Sequence, residues 1–98
     1  MEEKVWIIAY DISHEKRLRK MRKLCEDYTV RLQYSVYQLT GREAVMDNFI
    51  KRMEEIINPK EDSVIIFGMN KADMDKTRKF GTAKSDDDED EKKYFIFK

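Results

Sequence analysis

A single cysteine, Cys25, is all the thiol chemistry the chain carries. It excludes an intramolecular disulfide and a cysteine-based zinc site, and the expected compartment is a reducing cytosol. Three glycines are scattered singly, so there is no Gly-rich phosphate loop, and neither a Ser/His/Asp set nor a Cys/His metal cluster can be assembled. No apolar run approaches the roughly 20 residues a bilayer demands, so no membrane partner is expected. The chain opens acidic and leads into only about six apolar residues, shorter than a secretory leader's apolar stretch, so none is expected here. Net charge is missing too: 20 Lys and Arg stand against 20 Asp and Glu. Taken as one number, that balance speaks against a nucleic-acid partner.

The balance does not survive a pass along the chain. Residues 86–91 are six consecutive acids, whereas residues 1–85 hold 17 bases against 14 acids, and residues 92–98 add three lysines. Six of the bases (Lys16, Arg17, Arg19, Lys20, Arg22 and Lys23) fall within residues 13–23, beside one acid, Glu15. Neutrality is a sum of separated patches.

At 98 residues the chain is one small domain, with 41% apolar and 41% charged residues. Val5 to Tyr10 is continuously apolar, β-branched and aromatic, and too short for a buried helix; it reads as a strand covered on both faces. Ser13 is placed to cap a helix over about residues 14–28, whose core stripe is Leu18, Met21, Leu24, Cys25 and Tyr28. Residues 30–40 alternate, with Val30, Leu32, Tyr34 and Val36 on one side and Arg31, Gln33 and Ser35 on the other. Eleven residues is long for a strand, so a break near Tyr34-Ser35 is expected. Val45, Met46, Phe49, Ile50, Met53, Ile56 and Ile57 mark a second helix, stopped by Asn58-Pro59. Val64 to Met69 is a further strand. From Asn70 to Lys93 nothing is periodic.

This order implies an α+β fold, a ferredoxin-like β-α-β-β-α-β sandwich with an extra C-terminal strand. Residues 1–81 form the domain, 82–93 an acidic flexible loop, and 94–98 an edge strand in the same subunit or a partner. The apolar residues on both faces of the first strand call for cover beyond two helices, which a homodimer packing sheet on sheet supplies.

Asp11 ends the first strand just before the first helix. From its position alone it either caps the helix and solvates a turn, or offers hard oxygen ligands to Mg²⁺ or Mn²⁺. One carboxylate is a poor metal site; two copies across a dimer axis make an adequate one. The basic cluster either solvates a helix face or tracks a phosphate backbone, with Arg31 and Lys4 on the sheet nearby. Tyr10, Tyr34 and Tyr37 either stack bases or serve the core. His14 is either an exposed helix-start residue or an assistant to Asp11. Cys25 reads as a buried, inert thiol.

Val5-Trp-Ile-Ile-Ala-Tyr-Asp-Ile-Ser13, the Arg/Lys-rich helix after it, Arg31-Leu-Gln-Tyr-Ser-Val-Tyr37 and Asp62-Ser-Val64 occur in that order. Together, over about residues 4–69, they resemble the small CRISPR-associated nuclease of spacer acquisition, the "Cas-two" family. The resemblance implies a ferredoxin-like homodimer in which Asp11 binds a divalent metal, Mg²⁺ or Mn²⁺, near the dimer axis and supports phosphodiester hydrolysis. It implies cleavage of single-stranded RNA or double-stranded DNA in antiviral defence. It also implies a place between subunits of the spacer integrase, the "Cas-one" family. By position, Tyr10, Arg17, Arg19, Arg31 and Ser35 match residues used around that site or along the nucleic acid, and Lys16 and Lys20 extend the set.

Tyr37 departs from the family's usual phenylalanine, Ile65 stands where arginine is common, and Phe67 where tyrosine is common. The second change removes a phosphate contact. Three functions follow: a Mg²⁺-dependent endonuclease, a non-catalytic architectural dimer on DNA, and a toxin-like ribonuclease of the virulence-associated protein D group, which shares the ferredoxin-like dimer.

Overall fold

A computed structural model describes residues 3–78, 80–83 and 93–94. The first strand, β1 (Lys4–Asp11), is followed by helix α1 (Glu15–Tyr28), strands β2 (Val30–Gln33) and β3 (Val36–Gly41), helix α2 (Glu43–Ile56) and strand β4 (Ser63–Met69). The four strands make one antiparallel sheet in the order β2-β3-β1-β4. This is the strand order of the expected ferredoxin-like α+β fold, with both long helices on one face.

The sheet's period-two alternation assigns its residues to faces. Trp6, Ile8 and Tyr10 lie in register with Leu39 and Tyr37 of β3 and with Gly68, Ile66 and Val64 of β4. They meet the helices, and Ile8, Tyr37, Leu39, Met21, Cys25 and Phe49 are the most deeply buried side chains. The core stripes predicted for the two helices supply Met21, Leu24 and Cys25 from α1 and Met46, Phe49 and Met53 from α2.

The opposite face carries Ile7, Ala9 and Asp11 of β1, in register with Phe67, Ile65 and Ser63 of β4. Ile65 and Phe67 are half exposed there, at 51% and 50%. Among the described residues, only the far end of this face has cover. A short helix, α3 (Lys71–Asp75), packs against β1, and Val5 is buried. Five residues are too few for a periodic signal, so α3 is an element that the non-periodic reading of residues 70–93 misses; Asn70 caps it by accepting from the Asp73 N–H.

The expected break at Tyr34-Ser35 is present as a turn between β2 and β3. Arg31 pairs with Tyr37 on the helix side, while Val30 and Val36 take the uncovered face and Val30 is 66% exposed; the register shifts only beyond Arg31, before Gln33. The helix start differs from expectation as well. His14, not Ser13, is the N-cap of α1, its Nδ1 accepting from the Lys16 N–H at 3.1 Å.

Beyond the main sheet, Gly81 takes a left-handed φ of 83° and leads into β5 (Thr82–Ala83), which pairs antiparallel with β6 (Lys93–Tyr94). The acidic run 86–91 and residues 95–98 lie outside the described residues.

Candidate functional site

The carboxyl end of β1 gathers four of the predicted residues. Tyr10, Arg31 and Ser35 meet there through hydrogen bonds to Tyr10 or its partner Tyr37, and Asp11 follows Tyr10 in the strand. The Tyr10 N–H donates to the Ser35 carbonyl at 3.1 Å, which fastens the strand's end to the β2–β3 turn. On the helix side the Tyr10 hydroxyl lies 3.2 Å from the Tyr37 hydroxyl, and the rings stack at 5.7 Å between centroids. Arg31 donates to the Tyr37 oxygen from Nε at 3.2 Å and from an Nη at 2.9 Å, with its guanidinium 5.4 Å from the ring centroid. Burial, first of all, raises the Tyr10 phenol far above its ordinary range. Tyr10 therefore stays neutral and enclosed, and its ring is used in the core rather than presented to a base.

Because Tyr10 points to the helices, Asp11 points the other way. It is exposed on the uncovered face, opposite Ser63, and its carboxylate makes no hydrogen bond or ion pair among the described residues. Helix capping does not occupy it, since His14 does that work. Such a carboxylate, held at a strand end, is available to a cation or to water. Among the described residues no three His, Cys, Asp or Glu side chains converge to hold a metal. One chain thus supplies one hard oxygen ligand group, which suits Mg²⁺ only if waters, a phosphate or a second carboxylate complete the shell.

The basic cluster divides in two. Lys16, Arg19 and Lys20 lie exposed on α1, Arg19 within 3.5 Å of Glu15 one turn before it. Arg17 turns inward. Its Nε and one Nη donate to Asp62 at 2.8 and 3.2 Å, and the same Nη reaches Glu61 at 3.0 Å. Asp62 also accepts from the Ser13 N–H and hydroxyl and from the Asn58 N–H, at 3.0, 3.2 and 2.8 Å. Its side chain is fully enclosed, and the Arg17 guanidinium, above all, holds its carboxyl well below the usual range.

Asp62 is the residue that reading by local pattern passes over, since it marks only the approach to a strand. Its partners Arg17 and Ser13 lie 45 and 49 positions earlier. The signal was the co-occurrence of Ser13, Arg17 and Asp62 in separate segments, which has no local periodicity to betray it. Lys4 sits at the other end of β1, roughly 23 Å from Asp11 at strand rise, and pairs with Glu43 at 3.6 Å. Cys25 is fully buried and its thiol is pushed up to about 12 by that burial, as an inert core thiol requires.

Comparison with known proteins places this geometry. The family model of CRISPR associated protein Cas2 matches residues 4–77. A CRISPR-associated endoribonuclease Cas2 of Synechocystis is 35% identical over 66 residues, covering 67% of this chain and 72% of that protein. A second from the same organism is 32% identical over 78 residues, covering 79% and 84%. Among solved structures, Streptococcus pyogenes Cas2 superposes with a TM-score of 0.71 at 30% identity, over 79% of this chain and 99% of that one. A hypothetical protein from Thermus thermophilus shares the fold at 20% identity, with a TM-score of 0.67 over 85% and 89% of the two chains.

Proposed function

The chain belongs to the CRISPR associated protein Cas2 family, and from that premise we propose that it is a divalent-metal-dependent endonuclease acting on RNA or DNA phosphodiesters. The observation that carries the proposal is Asp11, an exposed carboxylate with no partner among the described residues, beside an uncovered apolar sheet face. The curated relatives are named endoribonucleases, which supports nuclease chemistry and favours single-stranded RNA as the first substrate to test.

Asp11 is the residue that would hold Mg²⁺ or Mn²⁺. Such an ion, when bound, supplies Lewis-acid chemistry that lowers the pKa of water and offsets charge at the reacting phosphate. The remaining roles belong to the protein. β1 and its register with Ser63 hold Asp11 at the strand end, and the exposed Lys16, Arg19 and Lys20 attract the nucleic-acid backbone. A homodimer formed through the uncovered face would bring two Asp11 carboxylates towards one axis and complete the ligand shell. The biological setting of the proposal is spacer acquisition, with the dimer bridging integrase subunits of the Cas-one family.

One observation favours a second reading. The described residues of a single chain form no cluster of three metal-ligating side chains, which also fits an architectural dimer that holds duplex DNA without cutting it. A cleavage assay separates the two. The full chain is incubated with 5′-labelled single-stranded RNA and with duplex DNA, in Mg²⁺ and in EDTA, beside Asp11→Ala. A drop of about a hundredfold in rate is expected both in EDTA and for Asp11→Ala. Full cleavage by Asp11→Ala refutes the Asp11 site. A wild type that never cleaves but binds duplex with steep salt dependence establishes the architectural reading.

A further inference from the structure

The buried chain Arg31–Tyr37–Tyr10 ends on the residue next to Asp11, and its middle link is a single oxygen atom. The Tyr37 hydroxyl accepts two N–H bonds from Arg31 and meets the Tyr10 hydroxyl at 3.2 Å. A phenol oxygen has two acceptor directions and one proton. The remaining contact joins the two hydroxyls, and either can supply its proton. Tyr10 is then gripped twice, through its hydroxyl by Tyr37 and through its N–H by the Ser35 carbonyl. Two grips on opposite ends of one residue hold its side chain and its peptide plane. In an extended strand that also sets where the next side chain, Asp11, emerges on the opposite face.

We propose that the Tyr37 hydroxyl is a positioning group for the Asp11 carboxylate, acting through Tyr10. The proposal rests on the reading of Asp11 as the metal-holding residue. Tyr37 itself is 1% exposed and cannot touch a nucleic acid, so its oxygen matters for the packing of the core or for the orientation of Asp11. The packing role is carried by the ring, which stacks on Tyr10 and which phenylalanine preserves. The orienting role is carried by the oxygen alone. The charged end of the chain adds strength, because bonds from a guanidinium are stronger than those between neutral groups.

The test compares Tyr37→Phe, Tyr10→Phe, the double variant and Asp11→Ala with wild type, using full chains and a 5′-labelled single-stranded RNA in Mn²⁺. Tyr37→Phe is expected to lower kcat about 5- to 20-fold with KM within about twofold, as for an interaction realised at the reacting centre rather than in substrate binding. Tyr10→Phe should match it, and the double variant should lose no more than either single, because one link is broken in each case. Exchange of the Tyr10 amide, followed by NMR without metal or RNA, should quicken about tenfold in Tyr37→Phe as the strand end loosens. Wild-type kcat and unchanged Tyr10 exchange in Tyr37→Phe, with Asp11→Ala inactive, overturn the positioning role and leave the Asp11 site standing. Full activity in Asp11→Ala overturns both.

Discussion

Asp62 accepts from Ser13, Arg17 and Asn58 at once, so one carboxylate ties the start of α1 to the loop before β4. Arg17 first, and the backbone donors after it, hold its carboxyl below the ordinary range. The folded chain therefore binds this proton more weakly than the unfolded chain, where a carboxylate titrates near about 3.9. The sign follows: the contribution is complete above about pH 5 and is lost as pH falls through the acid range. Thermal melts by circular dichroism should show wild-type Tm falling between about pH 5 and pH 2, and a flatter profile with a lower neutral-pH Tm for Asp62→Asn. An equal slope in the two proteins would remove Asp62 from the account. Arg17 belongs to the same lock. Arg17→Ala should lower Tm by several degrees at neutral pH, whereas Lys16→Ala, on the exposed side of the helix, should stay within about 2 °C, as surface substitutions usually do. None of this shows in local pattern, since the partners sit far apart in the chain and each reads alone as a turn residue or a base.

At the scale of elements, the readable parts were those with enough length to show a period. Two fourteen-residue helices announce themselves through their apolar stripes, and the apolar run of β1 through its continuity. The five residues of α3 are too short for a period, and the alternation of β2 sets Arg31 opposite Val30 without telling which of them faces the helices. The basic face of α1 is where element and function meet. With Arg17 committed inward, the cations left for phosphate on this face include the exposed lysines and Arg19. Removing one cation that neutralises a phosphate should make the salt slope of binding shallower by about 0.7 to 0.9. For Lys16→Ala/Lys20→Ala, fluorescence titrations over a salt series should show a slope shallower by roughly 1.5 and weaker binding at every low-salt point. An unchanged slope would place the nucleic acid on another surface.

For the whole molecule, the consequence of the fold is an apolar sheet face with both long helices on the other side. Ile7, Ala9, Val36, Ile65 and Phe67 share it, with Asp11 at its end and α3 covering the opposite end. Apolar residues on both faces of β1 were legible in the sequence; which of them would lie open was not, because that depends on the register of β3 and β4. The neutral total charge concealed a basic helix in the same way, since a sum carries no geometry. A second copy packed on this face would bury Phe67 and bring the two Asp11 residues to a common axis. Phe67→Asp places a charge at the centre of that contact while leaving the helix-side core untouched, since Phe67 is already half exposed. Sedimentation velocity should show the species of twice the chain mass replaced by one of a single chain mass, with an unchanged far-ultraviolet spectrum. On the two-carboxylate reading, cleavage should disappear with the dimer, because the shell loses its second carboxylate. A monomeric, folded Phe67→Asp protein that cleaves at the wild-type rate would show that one carboxylate suffices and that the face serves another purpose.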